Sequence, residues 1–339
     1  MLLPLALAGC PTDEAPPVGD TAVDRSAPAP DQLGADTVRL DLTPATDSAG
    51  SGPPYPIVLA HGFFGFDNIG PLDYFHNVKQ ALEADGHVVI VASMDPFNGT
   101  YVRGNQLLQQ VHAALLQTGA ARVNIIGHSQ GGLDARYVAS LIPDRVGAVV
   151  TVATPHLGAH IADVLLDRTP GFTQELAKAF FAAISRPFYG DVAKDADVKA
   201  CLESLTTDSL AAFNLKYPDE PGVTYYSFAG RSSSDLATTE CFAPVAPPFV
   251  TQYAKDKDPV DPLLYLVSLV VGESLLSPKA NDGLVQVSKT KWGTWLGCVP
   301  ADHWDEVGQL LGDSPGGGNP FNHITFYRDI AQYLVAKGF

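Results

Sequence analysis

The sequence predicts an α/β fold, a mostly parallel central sheet with helices on both faces. Three observations predict it. From residue 55 onward, short apolar runs rich in β-branched residues alternate with stretches of helical periodicity. The first run, Pro56 to Ala60, is a short apolar, β-branched stretch, which suits a buried parallel strand. The segments between consecutive runs are long enough for right-handed crossovers.

The elements follow in order. Residues 56–60, Pro56 to Ala60, read as the first buried strand, and Asn77 to Asp85 as a helix. His87 to Ala92 is the second strand. Between Arg103 and Gly119, apolar residues at Leu107, Leu108, Val111, Leu115 and Leu116 have helical spacing, and the glycine closes the helix. Arg122 to Ile126 is the third strand and Gly147 to Val152 the fourth. After a long insertion, Val223 to Phe228 resumes the sheet.

Ahead of the domain lie two other kinds of sequence. Residues 1–10 are apolar and end Leu7-Ala8-Gly9-Cys10, which resembles a bacterial lipoprotein export signal with Cys10 as the lipidated residue, although no lysine or arginine precedes the apolar run. Residues 11–54 hold eight prolines, eight acids and two arginines, a composition that cannot bury enough apolar surface to order itself and reads as a tether. A short strand at Val38 to Leu42 is the exception within it. The domain is expected to span residues 55–339.

Composition excludes several function classes. The chain has 339 residues, a net charge of −16 and 46% hydrophobic residues, which excludes a disordered chain. An acidic protein repels phosphate, which argues against a nucleic-acid binder. The longest apolar run, Pro262 to Gly272, falls short of the roughly 20 residues a membrane span needs. Four cysteines, at 10, 201, 241 and 298, fit neither a zinc site nor a disulfide-dense scaffold.

The chemistry is signalled at the end of the third strand. Gly127-His128-Ser129-Gln130-Gly131 is a G-x-S-x-G pattern between an apolar strand and a helical stretch, Leu133 to Leu141. Small residues at both ends let the chain turn sharply and present the Ser129 hydroxyl above the sheet. A serine nucleophile needs a histidine base and an acid to orient it, and in α/β-hydrolases these follow in the order serine, acid, histidine. His303, among polar neighbours, and His323, at the start of the last helix, both lie downstream. Asp282, on the Asn-Asp-Gly turn before an apolar run, is placed as an acid at a strand end should be. The oxyanion donors expected are the backbone N–H groups of Gln130 and of Phe63, in the loop His61 to Asp67 after the first strand.

Several segments together resemble the bacterial true lipases of family I, the Pseudomonas/Burkholderia type. They are Tyr55 to Asp67, Val102 to Val111, Val123 to Gly132, Thr154 to Gly158, Phe213 to Pro218, Ala280 to Val285 and His303 to Val307. The resemblance runs from about residue 55 to the C-terminus and weakens between 160 and 275. It implies an α/β-hydrolase fold, hydrolysis of carboxylic esters with a preference for triacylglycerols, and the triad Ser129, Asp282 and His303. It also implies a structural calcium ion whose carboxylate ligands map to Asp305 and Asp261, with Asp258 competing for the second place. Two carbonyl ligands map to Gln309 and Asp313, and oxygen-only ligation is what such a hard cation takes. The family's disulfide partner position is occupied here by Ser288, so Cys241–Cys298 is the preferred pairing, Cys201 lying in the helical stretch Val198 to Leu205. Many members require a dedicated membrane foldase, which is therefore a candidate partner.

An insertion at about 160–200 carries Phe172, Leu176, Phe180 and Ile184 at four-residue intervals, an amphipathic helix expected to act as a lid at a lipid surface. The expectation is thus an exported triacylglycerol lipase, lipid-anchored or secreted. A short-chain esterase or polyester depolymerase with the same triad, and a catalytically silent surface binding module, are the alternatives.

Overall fold

The computed structural model describes residues 52–63, 65, 68–69, 72–166, 198–232, 239–273, 278–309, 312, 315–316 and 318–339. The leader with Cys10, residues 11–51 of the tether with its short strand, the lid helix of residues 171–186 and Asp313 lie outside the described residues.

Six strands form one sheet: β1 (Ile57–Ala60), β2 (Val89–Ala92), β3 (Val123–His128), β4 (Val146–Val152), β5 (Thr224–Gly230) and β6 (Thr294–Val299). Their order is β2-β1-β3-β4-β5-β6, and every pairing is parallel. The six strands are mostly apolar because both faces are covered. Ile57 and Leu59 point to one face, where they meet Val78 and Leu82 of α1 (Val78–Ala84) and Phe326, Ile330 and Leu334 of α8 (His323–Ala336). Val58 and Ala60 point to the other, toward Leu107 and Val111 of α2 (Thr100–Thr118) and Ala135 and Val138 of α3 (Gln130–Leu141). The period-2 geometry of a strand sends neighbouring side chains to opposite layers, so a continuous apolar run feeds two cores at once.

A third apolar cluster sits beside the sheet. It joins α4 (His160–Leu165), α5 (Val198–Leu205), α6 (Thr207–Lys216) and α7 (Pro262–Val271) through Ile161, Leu202, Phe213 and Val267, among others. This cluster walls the region above the carboxyl ends of the strands, where open α/β sheets carry their sites.

Two expectations are corrected here. β6 closes one edge of the sheet from a sequence, Thr-Trp-Leu-Gly-Cys-Val, that had not been read as a strand. Its register against β5 shifts between Ser227 and Ala229, and Gly297 has φ 110°, so the apolar pattern is broken where the strand bends. Asp282 does not sit at the end of a strand. It lies in a tight turn closed by a single antiparallel bridge, Asn281 to Gln286, and the apolar residues that follow lead into one turn of helix at Val287–Thr290.

Candidate active site

β3 delivers Ser129 directly into the first turn of α3. Ser129 has φ 55° and ψ −130°, a backbone conformation that costs a non-glycine residue on the order of 1–3 kcal/mol. Neighbouring bonds hold it there: its N–H donates to Val152 O at 2.9 Å, and the Thr154 hydroxyl donates to its carbonyl at 2.8 Å. The flanking glycines are required by close approach. A Cβ at Gly127 would lie 2.5 Å from the Gly131 backbone, and one at Gly131 would lie 2.1 Å from Ala60 O.

The structure brings Asp282 and His303 together. His303 Nδ1 lies 2.8 Å from Asp282 Oδ2, both residues being buried. The other carboxylate oxygen of Asp282 accepts the N–H groups of Leu284 at 2.8 Å and Val285 at 2.6 Å, and the His303 N–H donates to Asp282 O at 2.9 Å. A proton on Nδ1 is used by the carboxylate, which leaves Nε2 as the acceptor nitrogen. His303 and Ser129 line the same cleft, which encloses about 680 Å³ including its open mouth and is walled by apolar residues such as Ile161, Leu202 and Leu284. His323 is elsewhere: it is buried at the first position of α8, with Nε2 donating to His76 O at 2.9 Å.

Phe63 also lines the cleft. Its loop is fixed from behind by Arg103, a wholly buried arginine near the start of α2. Arg103 donates to the carbonyls of His61 at 2.5 Å and Asp95 at 2.7 Å, and pairs with Asp134 at 2.9 Å. Burial, then the Arg103 charge, lowers the His61 imidazole to about 3, so it stays neutral. Burial pushes Asp134 up to about 7 against the pull of Arg103. Gln130 opens α3, so its N–H is a first-turn donor with no intrahelical acceptor. Its side chain is clamped, the Cys201 thiol approaching Oε1 at 3.3 Å and Nε2 donating to Asn98 O at 3.1 Å. Sequence reasoning missed Arg103 and Asp134. The signal was there, an arginine inside an otherwise apolar helical pattern.

Three carboxylates flank the histidine loop. Ligand oxygens of Asp258, Asp302 and Asp305 lie within 4.8 Å of one another. Asp302, not anticipated, belongs with the anticipated Asp305. Of the two aspartates competing for the upstream place, Asp258 is in this cluster and Asp261 is not. Asp261 precedes Pro262 and caps α7, its Oδ1 accepting the Leu263 N–H at 2.8 Å, so one of its carboxylate oxygens is engaged at a helix start. Both oxygens of Asp258 are buried without a hydrogen-bond partner among the described residues. Burial first, then the Asp302 charge, raises Asp258 to about 8, and burial raises Asp302 to about 6. Buried, oxygen-only, mutually repelling carboxylates, with the Asp258 oxygens unpartnered among the described residues, fit a hard dication. Gln309 is buried on the same loop, its N–H donating to Trp304 O at 3.1 Å. Cys241 and Cys298 are joined in a disulfide that pins the segment before α7 to β6, and Cys201 is a buried free thiol whose ionisation burial opposes.

Comparisons with known proteins bear on the family and the fold. A family model of the α/β-hydrolase fold matches residues 55–263. A triacylglycerol lipase of Vibrio cholerae is 36% identical over 309 residues, covering 84% of this chain and 88% of the relative. A triacylglycerol lipase of Pseudomonas fragi is 34% identical, covering 84% and 97%. One of Burkholderia plantarii is 31% identical, covering 84% and 87%. Among solved structures, a metagenomic carboxyl esterase superposes with a TM-score of 0.57 at 19% identity, covering 86% of this chain and 77% of its own. The Staphylococcus hyicus lipase does so with 0.51 at 18%, covering 86% and 98%. At those identities the structural likeness speaks for the fold.

Proposed function

Since this chain belongs to the α/β-hydrolases, and among them to the family of bacterial triacylglycerol lipases, we propose that it hydrolyses triacylglycerols through Ser129, Asp282 and His303. The Ser129 hydroxyl attacks the ester carbonyl carbon as His303 Nε2 takes its proton. The resulting oxyanion is held by the N–H groups of Phe63 and Gln130. The carbon–oxygen bond to the alcohol then breaks, and His303 returns the proton to the leaving oxygen. Water attacks the acyl-serine by the same route in reverse and restores the free serine and a fatty acid. Asp282 keeps Nδ1 protonated and stabilises the imidazolium formed in each half-reaction.

The observation that carries this reading is the His303–Asp282 bond at 2.8 Å beside a strained serine in a shared apolar cleft. An interfacial substrate is supported by α7, which is uncharged along its length yet presents Tyr265 and Leu266 to solvent, 52% and 72% exposed. A helix apolar on all sides ordinarily lies buried. Asp258, Asp302 and Asp305, with the carbonyl of Gln309, would hold a calcium ion. That ion would neutralise the buried carboxylates and stiffen the loop bearing His303.

Among the described residues no helix is long and apolar enough to cross a membrane. Export, with anchoring through Cys10, is supported by the apolar leader and by a disulfide, which needs an oxidising compartment. A membrane foldase remains part of this reading by family resemblance.

The test is the ratio of hydrolysis rates on emulsified long-chain triacylglycerol and on a dissolved butyrate ester, with Ser129→Ala as blank. A high ratio that rises when an interface forms is expected. Strong butyrate activity with none on the emulsion would replace the lipase by a short-chain esterase. Full activity in Ser129→Ala would remove the triad.

A further inference from the structure

Behind His303 lies a buried polar group that the reaction does not use. His128, the residue before Ser129, has its ring 4.6 Å from that of His303. Both of its nitrogens are engaged: Nε2 meets Glu306 Oε2 at 2.7 Å, and Nδ1 meets the Tyr74 hydroxyl at 2.6 Å. Tyr74, His128 and Glu306 are each at most 1% exposed.

The three residues come from the three segments that must meet for the chemistry. His128 ends β3 at the nucleophile elbow. Glu306 is three residues beyond His303 on the histidine's own loop. Tyr74 lines the cleft and packs against the oxyanion loop: a methyl on Gly62 would come within 2.8 Å of its hydroxyl and 2.5 Å of Ser129 Cβ. Gly230, at the end of β5, presses on the glutamate from the far side, where a Cβ would meet Oε1 at 1.8 Å. Taking a carboxyl and an imidazole out of water is costly unless each is bonded, and apolar side chains of similar volume would fill the space at no such cost. A buried chain of this kind specifies one arrangement of the parts it joins.

We propose that Glu306 is a positioning residue for His303, acting through His128 and Tyr74 to lock the histidine loop against the nucleophile elbow and the oxyanion loop. The proposal rests on the reading of Ser129, Asp282 and His303 as the triad. It differs from the role of Asp282, which touches His303 directly and sets its tautomer. Glu306 instead sets where the whole imidazole stands relative to the serine hydroxyl. A displacement of the order of 1 Å between reacting groups lowers a rate by about 100-fold.

The experiment compares Glu306→Gln and Glu306→Leu with the unaltered full chain on a dissolved butyrate ester. A serine-directed phosphonate counts reactive sites in each. Glu306→Leu is expected to lower kcat per reactive site by about 10- to 100-fold with KM within about twofold, because the cleft walls are untouched. Glu306→Gln, whose amide oxygen accepts from His128 Nε2, is expected to keep kcat within about threefold. A folded Glu306→Leu with unchanged kcat overturns the proposal, as does Glu306→Gln no better than Glu306→Leu. Should Glu306→Leu fail to fold, Tyr74→Phe cuts the chain at its other end and is expected to lower kcat at least about fivefold. Unchanged kcat there overturns the proposal equally. Ser129→Ala run alongside separates the two ideas: activity there sinks the triad, whereas an inactive Ser129→Ala with an unaffected Glu306→Leu sinks only the positioning role.

Discussion

The proposed calcium site carries a pH dependence of known sign, which a chelator should expose. The Asp258 carboxyl is raised from 3.8 to about 8 in the folded chain, burial being the main cause. Between those values the folded state keeps a proton that the unfolded chain has lost, so stability falls as pH rises from about 4 to about 8 and then levels. Holding that carboxyl at about 8 rather than 3.8, at 1.36 kcal/mol per pH unit, sets an upper scale of about 6 kcal/mol. From pH 5 to pH 8 that is about 4 kcal/mol, or on the order of 10 °C in Tm for a domain of this size. Calcium bound at the proposed site would reverse the effect by stabilising the ionised carboxylate. Thermal unfolding in chelator should therefore drop from pH 5 to pH 8. Calcium should restore it at pH 8 and do little at pH 5. Asp258→Asn should flatten both the pH slope and the calcium response. Equal Tm with chelator and with calcium at pH 8, or a full calcium response in Asp258→Asn, would refute the reasoning.

Two further outcomes are expected. Asp282→Asn leaves the shape of the site but removes the acceptor that keeps Nδ1 protonated, and kcat on a dissolved ester should fall by roughly 10³–10⁴-fold. A loss under tenfold would count against that role. Cys241 and Cys298 are 57 residues apart. Replacing both by Ala should destabilise the chain by about 4 kcal/mol through the freed loop in the unfolded state, read by denaturant unfolding. A change below about 1 kcal/mol would show that the bond does not stabilise the fold.

Local patterns made part of this molecule legible. β1 to β5 were readable because each is a short, mostly apolar run rich in β-branched or aromatic residues, and Ser129 because strand, glycines and helix lie within one short stretch. β6 was not, since a glycine at positive φ and a register shift interrupt it. Residue spacing alone left His303 and His323 as rivals, and the resemblance chose between them. Asp258 and Asp261 each precede a proline, and only the folded chain shows which of them is used to start α7. The His128–Glu306 contact joins residues 178 apart and leaves no local trace.

The all-parallel sheet has a consequence for how this protein is made. No two neighbouring strands can be joined by a tight hairpin, and the β4–β5 pairing waits for Thr224 to reach Ala148 across the whole cap insertion. Loop-closure entropy must therefore be met before the contacts that reward it exist, which makes such topologies slow to form. Meanwhile half-built sheets present unpaired edges to one another. Where half-built sheets meet faster than the last strands add, self-association rather than the stability of the finished molecule would limit yield in the cell. A dedicated folding helper would act on that race, raising recovery most at high protein concentration while leaving the melting temperature of the finished enzyme where it was.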